Sequence, residues 1–325
     1  MIIENIELKN NVIIAPMAGI SNGSFRELCF EFGASLVEME MISDKAIFYS
    51  NKKTLKMMEV DNRFHPVSIQ IFGSDPKTMA YATKKICENT NADIIDINMG
   101  CPVNKVVKTG AGAALMRDEK LAIKVVKAVI KESTKPVTVK MRLGWDKNNI
   151  NYLSLSKKLE KAGVSAITLH ARTRSQMYQG SADWEAIKLL KKELNIPVIG
   201  NGDIKTVDDY VKYKDYCDGI MIGRGVVGNP FLIKQILNYN QGKRNTRITY
   251  KQKFKQLINH TNKLIKLKGE KGAIYEMRGI APHYLTGLYG CTKYKNKLIT
   301  IKTFKDLKDI LDEYSTVLSS INTTY

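Results

Sequence analysis

Through the first 225 residues, hydrophobic and polar positions repeat one pattern. A short β-branched run ends in a glycine-rich or polar turn, and a stretch of helical periodicity follows. The runs are NVIIAPMAG from Asn11, ASLVEMEM from Ala34, PVSIQIFG from Pro66, ADIIDINMG from Ala92, PVTVKMRLG from Pro136, AITLHARTR from Ala166, PVIGNGD from Pro197 and GIMIGRG from Gly219. Their starts lie 22 to 44 residues apart, which leaves room for one crossover helix between each pair. In KLAIKVVKAVIK, Leu121, Val125 and Val129 repeat at four while lysines take the other face. Eight strands alternating with helices predict an α/β chain folded as a (β/α)8 TIM barrel. An open doubly wound sheet would need a dinucleotide fingerprint in its first turn, and APMAGISN carries none.

The pattern changes after residue 240. QGKRNTRITY is polar and basic and reads as a linker. YKQKFKQLINHTNKLIKLKG and FKDLKDILDEYSTVLSSI have helical amphipathicity, and AIYEMRGIAPHYLTGLYG between them predicts a further helix broken near Pro282. The expected organisation is a catalytic barrel over 1–240, a linker over 241–250 and a small C-terminal α-helical domain over 251–325.

Charge adds a partner class. The chain carries +19 net, with 41 Lys against 10 Arg, so lysine-rich composition accounts for part of the surplus. Residues 241–325 nevertheless hold 17 basic and 6 acidic residues, several times more basic per residue than the rest. A basic helical domain suits a polyanion such as nucleic acid. The five cysteines are widely spaced and form no C-x-x-C pair, which argues against a disulfide framework and against a zinc site. No apolar run of about 18 residues is present, so no membrane partner is expected. MIIENIELKNN has acids where a signal peptide would have a basic region, and a cytoplasmic protein is expected.

A barrel of this kind places its chemistry at the C-terminal ends of its strands. Collected there are Pro16, Met17 and Ala18 from the first strand, Gln70 from the third, Asn98 and Cys101 from the fourth, and Lys140 and Arg142 from the fifth. The sixth gives His170, Arg172 and Arg174, the seventh Asn201 and Asp203, and the eighth Gly223 and Arg224. Lys140 and His170 lie inside β-branched runs, where a charge is costly unless paired. NGD and GRG end the two strands whose following loops hold phosphate in this fold, and glycines let backbone N–H groups approach an anion. Lys140 can face an electron-poor ring, and Gln70 offers a donor and an acceptor to a ring edge. These features suit FMN with its phosphate at the seventh and eighth strands. Cys101, in DINMGCPVNK, is a thiol with no histidine or second cysteine near it in sequence.

PMAGISNGSFRELC, QIFGSDP, DINMGCPVNKVVKTGAGAALMRD, VKMRLGW, LHARTRSQMYQG, PVIGNGDI and MIGRGVVGNPF resemble, in order and through nearly the whole barrel, the tRNA-dihydrouridine synthases, most closely the bacterial B-type. GEKGAIYEMRG resembles the helical domain of that family. There the family commonly continues Arg-Lys-His after the Met, whereas this chain has Arg278-Gly279-Ile280, a departure that bears on tRNA docking and not on the chemistry. The resemblance implies FMN-dependent reduction of the uracil C5=C6 bond in tRNA, an oxidoreductase reaction on a CH–CH group, with NADPH or NADH as transient reductant. It implies that Pro16, Met17, Ala18, Gln70, Lys140, Asn201, Gly202, Asp203, Gly223 and Arg224 bind FMN, and that His170 touches cofactor or uracil. Asn98, Arg142, Arg172 and Arg174 would hold the target nucleotide, and Cys101 would be the proton donor. A D-loop uridine is the implied target, with position 17 as the first choice, and the enzyme is expected to act as a monomer without metal. A thiol is mostly protonated at neutral pH and can donate without tuning, whereas a nucleophilic cysteine needs a base or cation beside it. Two other readings share these residues: an FMN barrel dehydrogenase acting on a free pyrimidine, like dihydroorotate dehydrogenase, and a non-catalytic RNA-binding barrel.

Overall fold

The computed structural model describes residues 1–322. All eight expected strands form: β1 (Val12–Ile14), β2 (Leu36–Glu38), β3 (Val67–Phe72), β4 (Ile94–Met99), β5 (Val137–Arg142), β6 (Ala166–His170), β7 (Val198–Asn201) and β8 (Gly219–Ile222). Each pairs in parallel with the next, and β8 returns to β1 through Ile222 beside Ile14, which closes the sheet into a TIM barrel. Closure leaves no bare strand edge within the ring.

Side chains alternate along each strand, so the barrel interior is built in layers. At the strand starts, Ile13, Leu36, Ile94, Ala166, Ile199 and Met221 pack with Ile3 and Leu8 from an N-terminal hairpin (Ile2–Ile3 with Ile6–Glu7). Gly219 admits this plug, since a Cβ there would stand 3.0 Å from Met1 Cε. The next layer is polar: Asp96, Thr138 and Gln70 meet by hydrogen bonds. Beyond it, Asn98 is in register with Lys140, and one step further His170 is in register with Asn201.

The crossover helix Glu119–Glu132 illustrates how local sequence sets the outer layer. Asp118 caps it, accepting from Leu121 N at 2.9 Å, and such a cap stabilises by about 1 kcal/mol. Its buried stripe is Ala122, Val125, Val126 and Val129. Leu121, expected in the stripe, is half-exposed at the helix start, and the face is turned by one position.

Packing divides the chain into two compact units. The first joins Met1–Ser21 with Ala34–Gly223; the second joins Asn22–Gly33 with the residues from Arg224 onward. The helices Gly23–Glu31 and Phe231–Asn240, expected within the barrel over 1–240, thus belong to the second unit by packing. There Phe25, Leu28 and Cys29 are buried, and Lys263 pairs with Glu27 and with Glu31.

The long helical span Tyr250–Tyr284 is two helices meeting at Gly269, whose φ of 75° and ψ of 162° are non-helical. Gly269 is the last residue of the first expected helical segment, YKQKFKQLINHTNKLIKLKG, and glycine accepts a positive φ there without steric cost. Pro282 sits in the last turn, and the helix ends two residues after it at Tyr284. Helices Cys291–Leu298 and Phe304–Asn322 complete the unit, with the Tyr294 and Tyr314 rings stacked at 3.9 Å.

Candidate active site

The mouth of the barrel gathers the strand-end residues of the first unit around a chain of buried amides. Gln70 is 1% exposed. Its Nε2 donates to Asp96 Oδ2 at 2.7 Å, with Glu38 Oε2 at 3.4 Å, and its Oε1 accepts from Asn98 Nδ2 at 2.7 Å. Carboxylates accept only, so Asp96 fixes which way the Gln70 amide points, and Gln70 in turn fixes Asn98. The Oδ1 of Asn98 accepts the backbone N–H of Gly100 at 3.0 Å and of Cys101 at 2.8 Å. The turn that carries the thiol is thereby pinned to the strand that precedes it.

Cys101 is half-buried. Burial pushes its thiol up from the ordinary value of 9.0, while the N–H of Val103 and the charge of Arg142 pull it back down. The upward effect wins, so the thiol keeps its proton at neutral pH. Gly112 lets the next loop close over it: a Cβ there would fall 2.9 Å from Cys101 O and 3.1 Å from Cys101 Cβ.

The three arginines are engaged with protein. Arg142, 2% exposed, donates from Nε to Gly100 O and from Nη1 to Thr173 O and Met177 O, each at 2.8 Å. Arg172, 1% exposed, donates to Gln179 O at 3.1 Å and Gly180 O at 2.5 Å, and pairs with Asp203 Oδ2 at 2.6 Å. Arg174 lies over the Trp145 ring at 4.7 Å and donates to Asn104 Oδ1 at 2.7 Å. Arg117 approaches the same ring at 4.8 Å. Arg142 and Arg172 therefore brace the strand-end loops through backbone carbonyls.

On the strand next to Asn98, Lys140 Nζ donates to Asn201 Oδ1 at 3.0 Å, and Asn201 Nδ2 donates to Met221 O at 2.8 Å. Burial pushes the Lys140 amine below its ordinary range; the carboxylate of Glu38 pulls it up and Arg142 pushes it further down. His170 stands beside Arg142 and Asn201 in strand register, with its ring 6.2 Å from that of Tyr178. Gly202 (φ 143°) and Asp203 (φ 56°) follow in left-handed backbone, a conformation that costs a non-glycine residue about 1–2 kcal/mol. Asp203 is held there by Arg172 and by the N–H of Ala182 at 2.8 Å. Met17 closes the turn after β1, its carbonyl accepting from Ile20 and Ser21, with Pro16 and Ala18 on either side. A Cβ on Gly223 would stand 3.8 Å from Met17 Sδ. Arg224 begins the short 3-10 turn Arg224–Val226 that follows in the chain and belongs to the second unit.

These residues fit a phosphate-bearing ring cofactor. Lys140 and Asn201 offer donors at one wall, and the Gly202 and Gly223 turns bring bare backbone close to the mouth. The Nη1 of Arg172 is, among the described residues, buried without a hydrogen-bond partner, 3.9 Å from the position a Cβ on Gly202 would take. No group of three His, Cys, Asp or Glu side chains among the described residues could hold a metal ion.

Sequence reasoning missed Glu38, Asp96 and Tyr178. Both acids are almost fully buried, and burial pushes both carboxyls up, with the charge of Asp96 adding to the effect on Glu38. Their signal was available: each is an acid within a β-branched run, and Asp96 shares the inward face of Asn98. Tyr178 lies under the Arg142 guanidinium at 5.6 Å, on a loop that no periodicity marks.

Comparison with known proteins places this arrangement. Residues 13–322 match the family model described as dihydrouridine synthase. The chain is 37% identical over 325 residues, 98% of both chains, to a probable tRNA-dihydrouridine synthase of Rickettsia bellii. It is 43% identical over 241 residues, 74% of both chains, to tRNA-dihydrouridine synthase B of Vibrio cholerae. Among solved structures it resembles histamine dehydrogenase from Rhizobium sp. 4-9, with a TM-score of 0.54 at 14% identity over 81% of this chain. The chain spans half the length of that larger protein, and the likeness is one of fold. No helix among the described residues is long and apolar enough to cross a membrane. The family match over nearly the whole chain and the high coverage of these relatives agree with the strand-end motifs: this chain belongs to the dihydrouridine synthase family.

Proposed function

We propose that the protein is an FMN-dependent tRNA-dihydrouridine synthase that saturates the C5=C6 bond of a D-loop uridine, with position 17 as first candidate. The observation that carries the reading is the held, protonated thiol of Cys101 at the barrel mouth, on the turn after Asn98, whose register partner on the next strand is Lys140. When bound, FMN supplies the hydride that adds at uracil C6, and NADPH or NADH restores it. The chain's own part is the other half of the addition. As the π bond breaks, C5 takes the proton of Cys101 Sγ, and the thiolate left behind is reprotonated from water. Asn98 keeps the thiol-bearing turn in place during this transfer.

Pro16, Met17, Ala18, Gln70, Lys140, His170, Asn201, Gly202, Asp203 and Gly223, with Arg224 next in the chain, are the proposed FMN contacts. Asn98, Arg142, Arg172 and Arg174 are proposed to hold the target nucleotide, the arginines both directly and through the loops they brace. A base inside folded RNA must be extruded to reach such a site, at a cost of roughly a few kcal/mol. The basic helices from residue 251 onward, together with the enzyme acting as a cytoplasmic monomer, complete the proposal: their lysines meet tRNA phosphates.

The test is Cys101→Ala. The purified variant should retain the flavin absorbance of the wild type and form no dihydrouridine in unmodified tRNA, read by mass spectrometry of digested nucleosides. Wild-type turnover by that variant would remove Cys101 from the reaction. Activity on free orotate in place of tRNA would overturn the substrate.

A further inference from the structure

The crossover between β2 and β3 differs from the others. Instead of one amphipathic helix it uses two short ones, Asp44–Phe48 and Lys52–Met57. In the second, every residue is exposed or half-exposed. The segment shows Phe48 at 41%, Tyr49 at 77%, Leu55 at 43% and Met57 at 36% exposure, an apolar surface that a crossover helix would ordinarily bury. Lys45, Lys52, Lys53 and Lys56 stand among these side chains, and KAIFYSNKKTLKMM contains no acid from Lys45 to Met58. The flanking acids are Asp44, which is buried and accepts from Thr78 Oγ1 and from the N–H of Lys45, and Glu59, which is exposed just after Met58.

The aromatic pair is held firmly. Phe48 meets Tyr81 edge-on at 5.0 Å and Tyr49 edge-on at 5.3 Å. The helix end is closed by the N–H of Tyr49 to Lys45 O and of Ser50 to Ile47 O, both at 2.9 Å. Tyr49 is therefore presented outward on a fixed backbone. The segment also starts at the rim of the active site. Met41 Sδ is 3.6 Å from Asn98 Nδ2, and Ile42–Ser43 pairs with Ile71 and Phe72 at the end of β3 before the first helix begins.

We propose that Lys45–Met57 is an RNA-contacting surface that receives nucleotides flanking the base held at the barrel mouth. This rests on the reading of tRNA as substrate. Lys45, Lys52, Lys53 and Lys56 complement backbone phosphates. Tyr49 offers a face on which an unpaired base stacks, the mode by which single-stranded and loop nucleotides are held. Charge complementarity selects RNA over a second protein: four lysines against one exposed acid, Glu59, at the segment's end suit phosphates, and a protein partner would need an acidic patch to match.

The test uses the full-length protein and an unmodified tRNA transcript, with affinity measured by fluorescence anisotropy over a range of salt. Tyr49→Ala should weaken binding about fivefold or more, about fivefold being the low end of a lost stacking contact. Lys52→Gln, Lys53→Gln and Lys56→Gln together should lower the slope of log affinity against log salt by about 2, at ~0.7 per phosphate contact. Lys120→Gln, Lys124→Gln and Lys127→Gln together, on an exposed helix face of the same barrel, should leave that slope unchanged. Equal losses from both triples, or affinities within twofold of wild type for Tyr49→Ala and the first triple, would overturn the surface. Unchanged RNA affinity with a shift in sedimentation for Tyr49→Ala would assign the patch to a second copy of the chain instead. Where wild-type protein forms dihydrouridine and these variants bind normally, this proposal alone fails; where wild-type protein neither binds nor modifies tRNA, the substrate reading fails with it.

Discussion

Asn98 Oδ1 accepts the backbone N–H of Cys101 at 2.8 Å and that of Gly100 at 3.0 Å, while Asn98 Nδ2 donates to Gln70. One side chain thus ties the proposed acid to the carboxylate-anchored amides of the barrel interior. Asn98→Ala leaves two amide donors without their acceptor, at about 1–3 kcal/mol each where they stay dry. It should retain flavin and lose dihydrouridine formation by on the order of 100-fold, the scale of a misplaced general acid. Asn98→Asp keeps the acceptor for the turn but cannot donate to Gln70. It should therefore lose less activity than Asn98→Ala in a single-turnover assay. Equal activity of Asn98→Ala and wild type would show that the turn holds itself.

The state of the Cys101 thiol predicts a pH profile. Its folded value lies above 9.0 because burial outweighs Arg142 and the Val103 N–H. The protonated form, which the reaction needs, is then the dominant one through neutral pH and is lost only on the alkaline side. Alkylation by iodoacetamide, which requires thiolate, should be slow at pH 7 and rise with a midpoint above that of a free thiol near 8.5. Peptide mass spectrometry at Cys101 across pH 6–10 reads this directly. A midpoint below 7 would make Cys101 a nucleophile rather than an acid.

Much of the barrel is legible in the sequence because its strands carry strong local signals. Each β-branched run is bounded by Pro, Gly or a polar turn, so period and punctuation agree. The strand-end residues follow from counting. Less legible is the use each residue finds. Arg142 and Arg172 look in sequence like free cations at a mouth, yet both are almost fully buried against carbonyls, because a guanidinium has five donors and the loops offer acceptors. The kink at Gly269 falls at the end of the first helical segment read from the sequence, though the sequence does not show that the two helices follow each other with no loop between them. The packing of Gly23–Glu31 with distant helices has no local trace at all: it depends on Phe25 meeting His260 across more than two hundred residues.

Glu38 and Asp96 make stability fall with pH in a definite window. Both folded carboxyls lie above their ordinary values, Asp96 at about 6 against 3.8. The folded state then holds protons that the unfolded chain releases, so stability falls as pH rises from the unfolded values through the folded ones. Below pH 7 the Lys140 amine, at about 8, stays charged and does not offset this. Glu38→Gln removes one of the two acids without changing shape. Relative to wild type it should gain on the order of 1 kcal/mol between pH 5 and pH 7, because each tenfold difference in proton affinity between folded and unfolded chain is worth ~1.4 kcal/mol. Urea midpoints at the two pH values measure it, and parallel pH dependence in the two proteins would sink the assignment.

The two glycine turns separate a cofactor role from a folding role. At Gly223 an added Cβ meets Ala15 Cβ at 3.6 Å and Met17 Sδ at 3.8 Å, which is ordinary contact. Gly223→Ala should therefore change stability by less than about 0.5 kcal/mol. The new methyl group nevertheless occupies the space between the β1 and β8 turns that the proposed FMN contacts leave open. Flavin content of the purified variant, read from its visible absorbance, should drop severalfold. Gly202 is different, because a Cβ there falls 2.5 Å from Ala182 Cβ at a φ of 143°. Gly202→Ala must displace backbone and should cost on the order of 2 kcal/mol, with flavin lost as a consequence. The diagnostic result is the contrast between a stable, flavin-poor Gly223→Ala and a destabilised Gly202→Ala. Full flavin occupancy in Gly223→Ala would move the cofactor away from the β8 turn.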